Sequence, residues 1–182
     1  MDKIYFATGN KGKVEEARFI LSHPVEILDE ELDEIQSMNL EEIVEHKARQ
    51  AYEKIKKPVF VDDVSLEFDI WKGFPGPFIK YLQQISNDLI LYMMRNESNR
   101  KVKLIATIGY FDGNIMHFFT GFIWGTIAVE SRGERGWGFD PLFIPDGQEM
   151  TFAQMSDKVK NEVSHRRIAL DKFKKSLDGE KR

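Results

Sequence analysis

The chain has 182 residues, of which 42% are hydrophobic and 31% charged, and it contains no cysteine. Disulfides, thiolate metal ligands and thiol nucleophiles are therefore excluded, and the formal net charge of −4 argues against sequence-independent binding of nucleic acid. No apolar run is long enough to span a membrane or to form a secretion signal. We expect one cytoplasmic domain over residues 1–182 that buries its own core.

The first part of the chain alternates short apolar strands with amphipathic helices. The pattern predicts strands over 3–7 and 24–28, with a helix over 11–21 between them. Asn39 followed by Glu42 resembles a capping box and predicts the start of a second helix. A strand over 58–61 is then expected to deliver Asp62 and Asp63 at its C-terminal end.

The second part is richer in strand signals. A rigid turn at 73–77 precedes a helix predicted from Phe78, and strands over 103–111 and 115–129 are joined at Asp112-Gly113-Asn114, a hairpin signal. The tail over 155–177 is predicted as a helix with frayed residues from 178 onward. These elements predict an α/β fold with a mixed central sheet flanked by helices, in two lobes with a central cleft.

The segment from Thr8 to Lys13 lies between a predicted strand and a predicted helix and contains Gly9 and Asn10. Glycine lets the backbone approach an anion, and a helix N-terminus offers free N–H groups. The segment is no Walker A loop, because its glycine spacing differs and no Ser or Thr follows Lys13. The alternative is a tight connection without a ligand; Lys47 and Lys80, further phosphate candidates, can likewise be ordinary surface lysines.

Three acidic residues are candidates for a metal site: Asp62 and Asp63 after a strand, and Glu34 in a loop. Mg²⁺ prefers oxygen ligands and retains several waters, so one or two carboxylates plus substrate phosphates are sufficient. A carboxylate beside the metal can also deprotonate an attacking water. The alternative is a solvated acidic turn.

Two blocks near the C-terminus carry candidates for base recognition. In the block 136–140, Trp137 and Phe139 can sandwich a purine while Asp140 accepts a hydrogen bond from it; alternatively, both rings pack the loop onto the core. The block 160–166 ends in Ser164, His165 and Arg166, a group of hydrogen-bond donors. A Ser-His hydrolase is rejected, because neighbours on a helix point to different sides and no G-x-S-x-G elbow is present.

Seven stretches, in order and across nearly the whole chain, together resemble the inosine triphosphate pyrophosphatase (Ham1-type) family. They are ATGNKGK at 7–13, Lys47-Ala48, VDDVSL at 61–66, FPGPFIKYL at 74–82, GWGFDPLF at 136–143, TFAQM at 151–155 and KNEVSHR at 160–166. The resemblance implies Mg²⁺-dependent hydrolysis of ITP, dITP and XTP to the monophosphate and pyrophosphate, by an elongated α/β protein that is usually a homodimer.

The resemblance also implies a role for each matching residue. Asp63 binds the metal and activates water, supported by Glu34 and Asp62. The implied triphosphate ligands are Thr8, Gly9, Asn10, Lys13, Lys47 and Lys80. The implied base-recognition residues are Trp137, Gly138, Phe139, Asp140, Lys160, Ser164, His165 and Arg166.

The chain departs from the family pattern at three positions. Val64 stands where Ser or Thr is usual, Phe139 replaces Tyr or Trp, and Gln154 replaces Glu. Two other functions stay open: a nucleotide-binding module without turnover, and a hydrolase of pyrimidine nucleotides. The carboxylates argue against a binding module without turnover. A site in which His165 or Arg166 donates and Asp140 accepts suits a 6-keto purine with an N1–H, which argues against a pyrimidine substrate.

Overall fold

The structure is a computed structural model that describes residues 3–179. Over these residues the strands are β1 Ile4–Ala7, β2 Val25–Leu28, β3 Val59–Phe68, β4 Pro75–Gly76, β5 Lys101–Phe111, β6 Met116–Ile127 and β7 Phe143–Pro145. The α-helices are α1 Lys11–Ile20, α2 Leu40–Ile55, α3 Ile79–Ile85, α4 Asn87–Met93, α5 Asp157–Val163 and α6 His165–Gly179, and Phe152–Gln154 form a 3₁₀ turn.

The strands form a mixed sheet in the order β2-β1-β3-β5-β6-β7, with β4 paired to β3. β1 runs parallel to β2 and to β3, whereas the pairs β3–β4 and β6–β7 are antiparallel. Parallel neighbours need a crossover, and α1 supplies it between β1 and β2. The predicted α/β class with a mixed central sheet and flanking helices is confirmed.

The described chain divides into two compact units. The first unit lies within Met1–Asp63, Ala106–Gly121 and Arg166–Arg182, and the second comprises Val64–Ile105 and Phe122–His165. In the first unit the rings of Phe6 and Phe60 stack in the core beside Phe173. The second unit has its own core, which includes Leu66, Phe143 and Phe152. The cleft expected between lobes stays a prediction.

The first two helices begin where the sequence predicts, because asparagines cap them. Asn10 Oδ1 accepts from the Lys13 N–H at 3.2 Å, and Asn39 Oδ1 accepts from the Glu41 N–H at 2.9 Å. Such caps satisfy N–H groups that the helix leaves without partners. The capping box expected at Asn39 is incomplete, since the Glu42 carboxylate accepts from the Ser37 hydroxyl instead.

Two predicted boundaries are wrong in ways that bear on function. β3 does not end before Asp62 but runs on to Phe68, because Val64, Leu66 and Phe68 alternate into the core. The predicted helical tail is interrupted by Ser164, whose φ of −82° and ψ of 150° are extended. Helix α4 and strand β7 had no clear sequence signal. The last helix reaches Gly179, so the expected fraying of 178 and 179 is not seen, and 180–182 lie outside the described residues.

Candidate active site

The turn between β1 and α1 is fixed by short-range hydrogen bonds. The Asn10 N–H donates to Thr8 Oγ1 at 3.1 Å, and Asn10 in turn caps α1. Gly9 at the apex of this turn is exposed. The turn thus places the N-terminal N–H groups of a ten-residue helix next to Lys13, an arrangement that suits an anion.

Lys13 reaches from α1 to β3. Its Nζ donates to the backbone carbonyl of Asp62 at 2.8 Å and lies 3.7 Å from Asp62 Oδ1. Burial lowers the pKa of the Lys13 amine from its ordinary value of 10.5; Asp62 and Asp63 act in the opposite direction, and Arg166 and Lys47 lower it further. An added anion such as a phosphate would favour the charged amine.

Lys47 of α2 joins two of the candidate carboxylates. Its Nζ donates to Asp63 Oδ2 at 2.9 Å and to Glu34 Oε1 at 3.1 Å. Asp63 lies in β3, and Glu34 in the segment between β2 and α2. The structure therefore brings Lys13, Lys47, Glu34 and Asp63 to one place in the first unit, around the middle of β3.

Asp62 points into a different environment from Asp63, because successive side chains of a strand alternate. Its Oδ2 accepts from Arg166 Nε at 2.6 Å, and Arg166 also donates to Glu16 Oε2 at 2.5 Å. Although burial lowers the pKa of Arg166, Asp62 and Glu16 outweigh this effect and raise it, so the guanidinium is charged. Arg166, predicted to address a base, is here an ion-pair partner of Asp62.

Glu16 is a component that sequence reasoning missed. It lies on α1, within a helix pattern that gave no reason to distinguish it from its acidic neighbour Glu15. Its carboxylate is 11% exposed because it faces Arg166, 150 positions away along the chain. Only the tertiary fold reveals this pairing.

The carboxylates of Asp63 and Glu34 have the chemistry to hold a divalent cation. Asp63 and Glu34 offer the hard oxygen ligands that Mg²⁺ prefers, and both already hold a single positive charge, the Lys47 ammonium. Within residues 3–179, no set of three or more His, Cys, Asp and Glu side chains is arranged to hold a metal. Water and phosphate oxygens would have to complete such a coordination shell.

In the second unit, Asp140 organises the loop that carries Trp137. Its Oδ2 accepts from the Trp137 N–H at 2.8 Å and from Lys160 Nζ at 2.7 Å. The Lys160–Asp140 pair is buried, and the ammonium lies 5.5 Å from the centroid of the Trp137 ring. Gly136 allows the approach, since a Cβ there would lie 2.0 Å from the Asp140 carboxylate. The glycine before Trp137 therefore has a structural cause.

The two aromatic residues of this loop differ in burial. Phe139 is 4% exposed and belongs to the core of the second unit, whereas Trp137 is half-buried. Phe139 thus has the packing role that the sequence left open for it. The Asn87 side chain donates to the carbonyl of Gly138 at 2.8 Å and supports the same loop; no motif pointed to Asn87.

The remaining candidates of the second unit are Ser164, His165 and Lys80. Ser164 is the extended residue after α5 and is 1% exposed, and His165, 3% exposed, begins α6. The prediction that Ser164 and His165 are neighbours within one helix is therefore wrong. The absence of a G-x-S-x-G elbow from the sequence still argues against a Ser-His hydrolase. Lys80 lies on α3, with its Nζ 4.9 Å from the centroid of the Tyr81 ring.

The fold defines a mixed α/β protein, and comparisons with known proteins identify its family. Residues 4–176 match the model of the Ham1 family, and the chain belongs to this family. It is 44% identical over 176 residues to the dITP/XTP pyrophosphatase of Methanopyrus kandleri, with 94% of each chain covered. It is 42% identical to the dITP/XTP pyrophosphatase of Thermococcus kodakarensis, covering 94% of this chain and 95% of the relative.

A solved structure agrees with this assignment. The Ham1 protein of Staphylococcus aureus superimposes with a TM-score of 0.86 at 27% identity, covering 98% of this chain and all of the other. In the described part of this chain, no helix is long and apolar enough to cross a membrane.

Proposed function

We propose that this protein hydrolyses the triphosphates of non-canonical keto purines, namely ITP, dITP and XTP, to the nucleoside monophosphate and pyrophosphate. The observation that carries the proposal is that two lysines reach adjacent residues of β3: Lys13 donates to the carbonyl of Asp62, and Lys47 donates to the carboxylates of Asp63 and Glu34. Two full-length relatives carry the name dITP/XTP pyrophosphatase. We further propose that the protein works in the cytoplasm as a homodimer and needs Mg²⁺.

In the proposed reaction, Lys13, Lys47 and the N-terminus of α1, with Thr8 and Asn10, hold the triphosphate. A magnesium ion held by Asp63 and Glu34 would neutralise phosphate charge and lower the pKa of a bound water. Asp63 takes the proton of the water that attacks the α-phosphorus, and pyrophosphate leaves. The lysines stabilise the charge that develops on the leaving group, since phosphoryl transfer depends mainly on positioning and electrostatics.

Asp62 contributes indirectly in this scheme. Its side chain is 2% exposed and paired with Arg166, and its backbone carbonyl receives the Lys13 ammonium. Asp62 and Arg166 therefore set the positions of Lys13 and of the adjacent Asp63. Their contribution is rigidity beside the reacting phosphate.

The residues proposed for the base lie in the second unit. Trp137 offers an aromatic face, and Ser164 and His165 offer donors toward a 6-keto oxygen. Asp140, held by Lys160, is the proposed acceptor for the N1–H. Adenine reverses both groups at this edge, and each buried polar group left without a partner costs about 1–3 kcal/mol, so ATP is expected to be a poor substrate.

The test is a nucleotide panel with pure protein and Mg²⁺, in which ITP, dITP, XTP, GTP, ATP and dUTP are compared and the products identified. The proposal predicts pyrophosphate from the first three at rates well above those for ATP and dUTP. Release of orthophosphate, or preference for dUTP, would contradict it. Tight ITP binding without turnover would instead indicate a nucleotide-binding module.

A further inference from the structure

Helix α2 holds the segment 29–38, here called the acidic loop, through three side chains on one face. Lys47 donates to Glu34, and Lys54 donates to the carbonyl of Glu31 at 2.8 Å. Between them, Gln50 makes two hydrogen bonds to the backbone of Asp33, accepting from its N–H at 2.9 Å and donating to its carbonyl at 3.0 Å. Positions 47, 50 and 54 share one helix face, so α2 holds the acidic loop at residues 31, 33 and 34.

Lys47 differs from Gln50 and Lys54, because it also contacts a residue outside the acidic loop. Its ammonium lies 2.9 Å from Asp63 Oδ2 and 3.1 Å from Glu34 Oε1, so one positive charge lies between two carboxylates from separate parts of the chain. The side chains of Lys47, Glu34 and Asp63 are only 17–28% exposed. A divalent cation bound to the same two oxygens would occupy the space that the Lys47 ammonium fills. It would also take over the ammonium's role of balancing the two negative charges.

We propose that Lys47 is a resident counter-ion of the metal site, which it occupies in the nucleotide-free protein and leaves when the metal arrives with its triphosphate. This inference rests on the proposed function, since it takes Glu34 and Asp63 as the metal ligands. The released ammonium then contacts the phosphates, so a single side chain serves both states. A metal ion that arrives without a triphosphate must displace the Lys47 ammonium when no phosphate is present to bind that ammonium. The metal ion alone therefore binds weakly.

The exchange requires movement of one side chain only. Val44, Ala48 and Ala51 of α2 are completely buried, which fixes the backbone beside Lys47. The lysine stem is long and flexible, whereas Glu34 stays anchored through the two Gln50 hydrogen bonds to Asp33. Gln50 is thus a positioning residue for Glu34 during the exchange.

The test measures Mn²⁺ binding to the nucleotide-free protein, with free Mn²⁺ followed by electron paramagnetic resonance. Lys47→Met removes the competing charge and both of its hydrogen bonds to the carboxylates, and it is expected to tighten Mn²⁺ binding at least about tenfold, the effect of a single charge-assisted hydrogen bond. Lys54→Met is the matched control, because it removes the same charge from the same helix and the same loop but contacts neither Glu34 nor Asp63. It should change the affinity by less than about twofold.

A Lys47→Met protein that binds Mn²⁺ no more tightly than wild type would overturn the proposal. An equal gain in Lys54→Met would overturn it too, since the effect would then be general electrostatics. Adding Gln50→Leu to Lys47→Met should remove most of the gain, and an undiminished gain contradicts the role of Gln50. If Lys47→Met does not fold, Lys47→Gln replaces it under the same criteria.

These binding measurements do not depend on turnover. A wild-type protein that releases pyrophosphate while Lys47→Met fails to gain Mn²⁺ affinity disproves only the exchange. The reverse result, a gain in affinity without any pyrophosphate from wild type, would support the exchange and disprove the proposed reaction.

Discussion

Arg166 and Asp62 form a buried ion pair across 104 positions of the chain, with Nε and Oδ2 separated by 2.6 Å. Both side chains are 2% exposed, and the guanidinium also holds Glu16 of α1. The pair ties the start of α6 to the strand that carries Asp63. A residue in a motif that predicts base recognition thus maintains the geometry around the proposed phosphate site.

Replacing Arg166 with Met is expected to lower the free energy of unfolding by about 3–5 kcal/mol, because two buried carboxylates lose their counter-charge. The neighbouring Arg167 is the control: it pairs with Asp171 one helical turn away, and both side chains are at least one-third exposed. Arg167→Met should cost less than about 1 kcal/mol. Urea denaturation of both proteins checks this, and equal stabilities would refute the structural role of Arg166.

The Trp137 loop allows a test in which backbone strain is matched. Gly136 and Gly147 both have positive φ, 74° and 79°, but a Cβ at 136 would lie 2.0 Å from the Asp140 carboxylate, whereas a Cβ at 147 meets nothing within 4 Å. Gly147→Ala should cost only the strain of a left-handed residue, about 1–2 kcal/mol. Gly136→Ala should cost more and should also raise the KM for ITP at least about tenfold, as Asp140 is displaced.

Thermal melts and initial rates on the two alanine variants decide this prediction. Gly147→Ala is expected to keep the wild-type KM. If Gly136→Ala also keeps it, Asp140 and the Trp137 loop take no part in nucleotide binding.

The local parts of the fold could be predicted from sequence, and the long-range pairings could not. Capping asparagines and glycine turns fix where α1, α2 and the β5–β6 turn lie, since these signals act within a few residues. The apolar pattern predicts too short a β3 because two aspartates interrupt it, although Val64, Leu66 and Phe68 continue it. The partners of Arg166, and the supporting contact of Asn87, depend on packing between distant segments.

Motif matching found the residues around β3 but not the contacts that each makes. Lys47 contacts Glu34 and Asp63, and Lys13 contacts the carbonyl of the adjacent Asp62, so these residues stay the proposed phosphate and metal ligands. Phe139, in contrast, lies in the core despite its place in the same motif as Trp137. A motif indicates which residues matter together, and burial separates those that support a site from those that face it.

Acid stability should depend on Asp112 in the turn between β5 and β6. The backbone N–H groups of Ile115 and Asn114 donate to its carboxylate and hold its pKa below the ordinary 3.8. A depressed folded-state pKa gives stabilisation that is fully present above the unfolded value and is lost as pH falls through the folded one. Asp112→Asn keeps an acceptor oxygen but has no charge to lose.

Below about pH 4, wild type should therefore lose stability more steeply than Asp112→Asn, while the two differ by a constant amount at neutral pH. Melting temperatures measured from pH 6 to the acid limit of folding, at about 0.1 M salt, check this prediction. Parallel profiles throughout would show that the carboxylate has no depressed pKa in the folded protein.

The most direct test of the account is the rate of pyrophosphate release from ITP, with Mg²⁺, by wild type and by Asp63→Asn. The substitution keeps the size and an acceptor oxygen but removes the base, so the rate should fall at least ~100-fold. Asp112→Asn, the same chemical change outside the site, should keep the wild-type rate. A near-normal rate in folded Asp63→Asn protein would contradict the central claim that Asp63 activates the attacking water.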